Sequence, residues 1–417
     1  MTAGPSSPVD RVAVRLTKDA LRQVRGGHPW VFDASVISVR PDGQVGDLAV
    51  VFDDDRRFAA IGLWDPGSPI RVRVLHRGSP RTVDGAFWRE QLSAALGRRT
   101  PLLDQGDTDA YRWVAGENDG LPGLVVDRYA DVAVVKLYSA AWMPHLDAVV
   151  AALVDVAAEH TDPVGRVVLR MARTTAAAPR RPGTEYLDDG SALVGELPTE
   201  PVQFVEHGLA FEADVVHGQK TGHFLDQRDN RLRVRHLAAG GRVLDVFCCT
   251  GGFSVNAAAG GATLVHSVDL SPQAVATARR NLAYNSALPE VGACTHRATV
   301  GDAYEVMEQL AAAGETYDVV VVDPPSFASR KEQVAGAVRA YARLTGLSLE
   351  LVAPSGTLLQ ASCSARIDAA TFERVVTSAA ADAGRPLRNV QVLGHALDHP
   401  VGFPQGEYLC AVLATVD

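Results

Sequence analysis

From about Val202 to the C-terminus, short apolar runs take turns with amphipathic stretches, and that rhythm leaves few folds open. The runs "GRVLDVF", "TLVHSVDLS", "YDVVVVD" and "TLLQASCS" read as strands. The stretches "FSVNAAAG", "PQAVATARRNLAYNSA", "AYEVMEQLAAAG" and "YARLTGLSLELVAPSG" read as helices. Near-continuous apolar strands separated by helices predict a mostly parallel sheet covered on both faces. The last two strand-like segments, "VQVLGHALDHP" and "EYLCAVLATV", have no helix between them, so the final strand is expected to insert antiparallel.

Ahead of this region, "VQFVEHGLAFEADV" alternates cleanly around His207-Gly208 as a hairpin. The first eighty residues, after a short polar tail, are strand-like and broken at "RPDGQVGD" and "DPGSP". Their most specific piece, "GGHPWVFDASV" (Gly26 to Val36), reads by itself as a turn feeding a core strand with Trp30 and Phe32 buried. Between these regions lie a helix in "DGAFWREQLSAALGRRTPLL", two strands in "GENDGLPGLVVDRYADVAVVKLY" and a helix in "MPHLDAVVAALVDVAAEH". The Pro- and Arg-rich "AAAPRRPGT" reads as the mobile tip of a long hairpin. The expected domains are therefore 1–82 (β-rich), 83–201 (central α+β with a long β-hairpin) and 202–417 (α/β).

The chain has 417 residues, a length suited to two or three domains. Forty basic against 49 acidic residues give a net charge of −9, which argues against a nucleic-acid binder that uses its whole surface and leaves room for a local basic groove. Five cysteines without a repeated C-x-x-C spacing point to free thiols in a reducing compartment. The N-terminus has no secretory pattern and no run approaches a membrane span, so the expectation is a cytoplasmic protein with no membrane partner.

In an open parallel sheet, ligands collect beyond the carboxyl ends of the strands. "VLDVFCCTGGFSV" runs strand, turn, helix; Gly251 and Gly252 would let the backbone approach a ligand and free N–H groups at the helix start. One strand later Asp269, 24 residues after Asp245, is placed for both hydroxyls of a ribose, and Asp302 in "VGDAYEV" for an adenine amino group. The turn is no G-x-G-x-x-G, which suggests an adenosine-containing ligand without a pyrophosphate.

Asp323 ends the next strand, and Pro324-Pro325 remove two N–H donors and stiffen the exit loop. A fixed carboxylate beside exposed carbonyls suits an amide-like edge. Amino-methylating enzymes place an aromatic residue directly after such a Pro-Pro pair; here Ser326 stands there and Phe327 follows. Cys363 ends the adjacent strand and would share the rim with Asp323, where a thiolate can act as a nucleophile. Cys248, Cys249, Cys294 and Cys410 read as packed thiols.

Taken together, "HGQKTGHFLDQRDNR", "FCCTGGFSV", "VDPPSF" and "ASCS" resemble the ribosomal RNA large-subunit cytosine-C5 methyltransferases, class I S-adenosylmethionine enzymes with an N-terminal PUA domain. "HPWVF" resembles the PUA start and "GENDGLPGLVVDRY" the family's central β-hairpin domain. The resemblance implies a Rossmann-like class I methyltransferase domain and S-adenosylmethionine as cofactor, with no metal. It implies that Phe224, Asp226, Gln227 and Arg228 help close the cofactor site. Thr250, Gly251, Gly252, Phe253, Asp269, Asp302, Asp323 and Pro324 would line it, with Cys363 as nucleophile and Asp323 holding the base. Large-subunit ribosomal RNA would be the partner, contacted by Arg25, His28 and Trp30 and by Arg173, Arg180 and Arg181; a homodimer is left open. Ser326 stands where many RNA cytosine-C5 enzymes carry a second cysteine. Two alternatives stay open: a methyltransferase of this fold acting on another RNA base or a small molecule, and an RNA-binding assembly factor with a vestigial site.

Overall fold

The computed structural model describes residues 9–161, 163–328 and 330–417; the polar N-terminal tail lies outside them. Contacts group the chain into two compact units. The first takes Met1–Phe204, Ala213–His223 and Asp398–Phe403, and the second takes Val205–Glu212, Phe224–Leu397 and Pro404–Asp417.

The first unit opens with β1 (Arg11–Leu16), α1 (Lys18–Arg25), β2 (Trp30–Phe32), β3 (Val36–Arg40), β4 (Leu48–Phe52), β5 (Phe58–Trp64) and β6 (Ile70–Arg77). These six strands form one sheet in the order β2-β6-β5-β4-β1-β3. β1 alternates strictly, so Val12, Val14 and Leu16 enter a core with Val24, Val31, Val51 and Val74. Helix α1 was not foreseen in this strand-like stretch. It is capped by the Thr17 side chain and buries only Ala20 and Val24, a stripe too narrow to dominate the pattern.

Next come α2 (Gly85–Gly97), α3 (Thr100–Leu103), β7 (Ala110–Ala115), β8 (Leu124–Tyr129), β9 (Val132–Leu137), α4 (Leu146–His160), β10 (Arg166–Met171), α5 (Arg173–Ala176) and β11 (Ala192–Val194). The strands make a second sheet, β11-β10-β9-β8-β7. Its core includes Phe87, Trp88, Trp113, Trp142, Leu146 and Leu153, and also Leu48, Ile61, Leu63 and Leu75 of the first sheet. The expected 1–82 and 83–201 segments thus share one core. The stretch Ala140–His160 is long and apolar enough to cross a membrane by composition, and its apolar side chains are spent on this protein interior.

The hairpin of β12 (Val202–Glu206) and β13 (Leu209–Ala213) turns through His207 (φ +48°) and Gly208 (φ +72°), the left-handed pair a tight two-residue turn requires.

The second unit continues with α6 (Arg228–Leu237), β14 (Arg242–Val246), α7 (Gly252–Ala259), β15 (Leu264–Asp269), α8 (Pro272–Tyr284), α9 (Pro289–Ala293) and β16 (Thr295–Val300). It ends with α10 (Ala303–Ala312), β17 (Tyr317–Val322), α11 (Val334–Leu351), β18 (Val352–Ser362), α12 (Ala369–Asp382), β19 (Leu387–Leu393) and β20 (Cys410–Val416). The seven-stranded sheet runs β16-β15-β14-β17-β18-β20-β19, with β20 antiparallel to both neighbours. This is a Rossmann-like arrangement with its last strand reversed. One expected boundary moves: "VAPSG" opens β18 rather than closing α11.

Candidate active site

Register brings the strand ends to one rim. Val246 of β14 pairs with Val268 of β15 and Val322 of β17, and Val322 pairs in turn with Gln360 of β18. The strands therefore end along one edge of the sheet, β15 on Asp269 and β18 on Ser362, with Phe247, Asp323 and Cys363 at or just beyond that edge.

At β14 the chain turns sharply, with Phe247 at φ +62°, Cys249 at φ +49° and Gly251 at φ +76°. Two non-glycine residues in the left-handed region mark a strained turn, of the kind held in place where a ligand must be met. Asp269 anchors it: one carboxylate oxygen accepts the Cys249 N–H at 2.9 Å, and the other accepts the Ser271 N–H at 2.8 Å. Each oxygen keeps a further acceptor position for a hydroxyl. The glycine pair also answers to protein packing. A Cβ on Gly251 would stand 2.7 Å from Ala278 Cβ, and one on Gly252 would stand 2.8 Å from Arg231 Cδ. Both glycines let helices pack closely, a constraint that protein contacts alone impose.

Asp302 is also partly committed. It caps α10, one oxygen accepting the Tyr304 and Glu305 N–H groups at 3.0 and 3.2 Å. Thr250 is half-buried, its carbonyl accepting Asn281 Nδ2 at 2.8 Å, and Phe253 is buried on α7.

The segment before α6 is built around buried polar groups. Asp226, Gln227 and Arg228 are all buried, and the Tyr408 hydroxyl donates to Asp226 at 2.8 Å. Arg231 forms a two-bond fork onto Glu206 (2.7 and 2.5 Å) and donates to the Phe224 carbonyl at 2.7 Å, fixing where Phe224 leaves the chain. Among the described residues, Gln227 Nε2, Asn256 Oδ1 and Asp245 Oδ1 are buried without a hydrogen-bond partner. Unsatisfied polar atoms of this kind call for a ligand or water. Donors and acceptors of both sorts fit the amino-acid end and the sugar of a nucleoside such as S-adenosylmethionine.

Asp245, a mere spacing mark in the sequence, has a structural place of its own. It is fully enclosed, its other oxygen accepting the Ser254 N–H (3.0 Å) and hydroxyl (2.6 Å), and burial pushes its carboxyl up to about 7. The chain of bonds continues from the Ser254 hydroxyl to Ser267 (2.7 Å) and on to His296 (2.8 Å), an imidazole that burial pushes down to about 4.

Asp323 is half-buried, with its N–H to the Val246 carbonyl at 3.3 Å; Pro324 is buried and Pro325 exposed. The Cys363 thiol lies 3.8 Å from the Pro324 carbonyl oxygen. The expected meeting of the two strand ends is therefore a direct contact. Behind it stands an unforeseen clamp. Ser364 Oγ accepts the Phe327 N–H at 3.0 Å and the Ala328 N–H at 3.2 Å, and bonds the Tyr341 hydroxyl at 2.9 Å. Ser362 donates to the same Tyr341 hydroxyl at 2.9 Å. Tyr341 is wholly buried between Phe327 and Phe372, each ring centroid 5.0 Å away. The other thiols are pushed upward by burial, Cys249 to about 11 and Cys410 to about 12, and Cys248 and Cys294 in the same direction.

The residues expected to meet RNA fare unevenly. Arg181 is not on a mobile tip: it is buried, with its guanidinium 2.6 Å from Asp47. The β10–β11 connection folds back, with Arg180 donating to the carbonyls of Leu187 (2.6 Å) and Glu185 (3.2 Å). Arg173 is exposed. Arg25 is exposed and paired with Asp53 at 2.7 Å. His28 and Trp30 are half-buried, the Trp30 indole donating to Glu117 at 2.8 Å, and Phe32 is 43% exposed rather than buried.

A family model described as S-adenosylmethionine-dependent methyltransferase matches residues 181–406, and one described as a PUA-like domain matches residues 14–77. The chain is 46% identical to a "Ribosomal RNA large subunit methyltransferase" of Deinococcus radiodurans, over all of both chains. It is 35% identical to a "Ribosomal RNA large subunit methyltransferase I" of Aeromonas salmonicida, over 95% of this chain and 98% of that one. Among solved structures it is similar to a methyltransferase complexed with SAH, with a TM-score of 0.79 over 98% of this chain and 100% of that one; at 21% identity this speaks to the fold alone. The chain belongs to the S-adenosylmethionine-dependent methyltransferase family, carries an N-terminal PUA-like domain, and uses S-adenosylmethionine as its cofactor.

Proposed function

We propose that the protein methylates C5 of a cytosine in large-subunit ribosomal RNA, with Cys363 as a transient covalent nucleophile. The observation that supports this reading is the 3.8 Å contact between the Cys363 thiol and the carbonyl of Pro324, the residue that follows Asp323. An amino-group methylation has no use for a thiol there. The names of the relatives support the ribosomal substrate.

In this reading Asp269 receives the ribose hydroxyls, while Gln227, Arg228 and Asp245 receive the amino-acid end of S-adenosylmethionine. The cofactor supplies an electrophilic methyl on a sulfonium. Cys363 as thiolate adds to C6 of the cytosine, and the displaced electron pair makes C5 nucleophilic. C5 takes the methyl, a base removes the C5 proton, and the electrons left behind expel the Cys363 thiolate. Asp323 grips the N3/N4 edge, so that ring protonation accompanies thiolate attack. The target base must leave its stack to reach such a strand-end rim.

The test is methyl transfer from labelled S-adenosylmethionine to unmodified large-subunit ribosomal RNA, followed by nucleoside digestion and mass spectrometry. Wild type yields 5-methylcytidine and Cys363→Ala yields none. Methylation that survives in the variant, or a product methylated on an amino nitrogen, would overturn the proposal.

A further inference from the structure

The first sheet has two faces, and only one is filled along its whole length. Val12, Val14, Val51 and Val74 occupy the inner face. On the other, Leu48, Ile61 and Leu63 are covered by the core of the second sheet. Val50 and Phe58 pack against the margin of that core while staying half-buried, and the face opens beside them. Register lines up Arg40, Ala13, Val50 and Ile61 across β3, β1, β4 and β5, and sets Arg15 beside Phe52 and Phe52 beside Phe58.

The result is a groove of about 400 Å³ with Val50, Phe52 and Phe58 as its floor and Arg11, Arg40 and Arg81 at its margin. Phe52 and Phe58 are half-buried; Arg11, Arg40 and Ala13 are exposed. Arg81 pairs with Glu90, and Arg15 pairs with Asp54 at 3.4 Å in open solvent. Neither Arg11 nor Arg40 has an acidic partner among the described residues. In a chain of net charge −9, two unneutralised guanidinium groups beside aromatic rings on an open sheet face make a local anion-seeking surface. Aromatic rings on a sheet with arginines at the margin suit unstacked nucleobases joined by phosphates.

We infer that this half-face holds a single-stranded RNA segment, with bases against Phe52 and Phe58 and phosphates on Arg11 and Arg40. The inference rests on the RNA reading above and assigns the contact to a place the sequence did not suggest. In the strand order this groove lies at the β4-β1-β3 side, away from the β2 edge that bears Trp30. The buried Arg181 takes no part.

The test titrates the full chain against a short, unstructured, fluorescein-labelled oligoribonucleotide between about 50 and 200 mM salt. Arg11→Ala/Arg40→Ala should weaken binding about tenfold and lower the slope of log K against log salt by about 1.4, two contacts at about 0.7 each. Phe52→Leu keeps the apolar floor and removes the stacking face; binding about fivefold weaker is expected, with the salt slope unchanged. S-adenosylmethionine affinity, measured in parallel, serves as the folding control. If the arginine variant binds RNA as wild type with the same slope while wild type still methylates ribosomal RNA, the inference is overturned and the proposed function stands. If wild type neither binds nor methylates RNA, both fall. If the variant changes only sedimentation, from dimer to monomer, the face belongs to a second copy of the chain and the inference is overturned.

Discussion

Replacing Ser364 by alanine removes one oxygen, and the structure says what that oxygen holds. It accepts the N–H groups of Phe327 and Ala328, which follow the Asp323-Pro-Pro exit, and it joins them to Tyr341 behind Cys363. Phe327 is half-buried, so its N–H can turn to water. Ala328 is fully buried, and its N–H then lacks a partner at a cost of about 1–3 kcal/mol. A loss of about 2 kcal/mol corresponds to a thermal midpoint lower by about 6 °C for a unit of this size. The alternative open to the loop is to swing out, which relieves that cost and loosens Asp323 against Cys363. A misplacement of about 1 Å at a reacting centre costs about a hundredfold in rate. Ser364→Ala should therefore lower kcat by about a hundredfold, with KM for S-adenosylmethionine changed by less than about threefold, because Asp269 and Gln227, the proposed cofactor contacts, are untouched. Tyr341→Phe leaves the Ser364 hydroxyl and both loop bonds in place and should lose less. Steady-state methyl transfer and differential scanning calorimetry read these quantities. Wild-type kcat and midpoint in Ser364→Ala would refute the clamp, and so would a loss carried wholly by KM.

Three further outcomes follow from the same geometry. Asp269→Ala removes the anchor of the β14 turn and, in the proposed reading, the acceptor for ribose hydroxyls, so calorimetric affinity for S-adenosylmethionine should fall about 10–100-fold. Gly251→Ala forces a Cβ to within 2.7 Å of Ala278 at φ +76°, and should lower stability by more than about 1 kcal/mol in denaturant unfolding. Asp245 and His296 oppose each other in pH. Asp245, pushed from 3.8 up to about 7, keeps a proton in the folded chain that the unfolded chain has lost, so its contribution falls as pH rises through that window. His296, pushed from 6.5 down to about 4, lacks a proton that the unfolded chain holds, so its contribution rises with pH. Relative to wild type, Asp245→Asn should gain stability and His296→Gln should lose it on going from about pH 4.5 to 6.5, by at most about 1.4 kcal/mol per pH unit. Thermal midpoints across that range check both signs.

What the sequence could reveal followed from periodicity. Parallel strands buried on both faces are continuous apolar runs, so their ends are conspicuous, and Asp269, Asp323 and Cys363 stand at those ends. The reversed last strand followed from the missing crossover helix. The clamp was hidden because Ser364 and Tyr341 are 23 residues apart on a strand end and a helix, and nothing local couples a serine to a tyrosine. Arg181 misled for the opposite reason. "PRRPGT" has the composition of a solvated tip, while its partner Asp47 lies 134 residues away. Asp245 looked like a spacing mark because a lone carboxylate inside an apolar strand shows its purpose only when its hydrogen bonds are known. The packing constraint on the glycine pair was out of reach because Ala278 and Arg231 lie on other helices.

The central claim is that the ends of β17 and β18 form one catalytic site with Cys363 as nucleophile. It is tested most directly with RNA carrying 5-fluorocytosine. After addition of the thiolate at C6 and methyl transfer to C5, fluorine cannot leave as a proton does, so the cysteine cannot be expelled and the adduct persists. The account predicts a stable protein–RNA complex that requires S-adenosylmethionine, with the modified base mapped by mass spectrometry to Cys363. A wild-type enzyme that turns over normal RNA to 5-methylcytidine but leaves no adduct on Cys363 with the fluorinated RNA would contradict it.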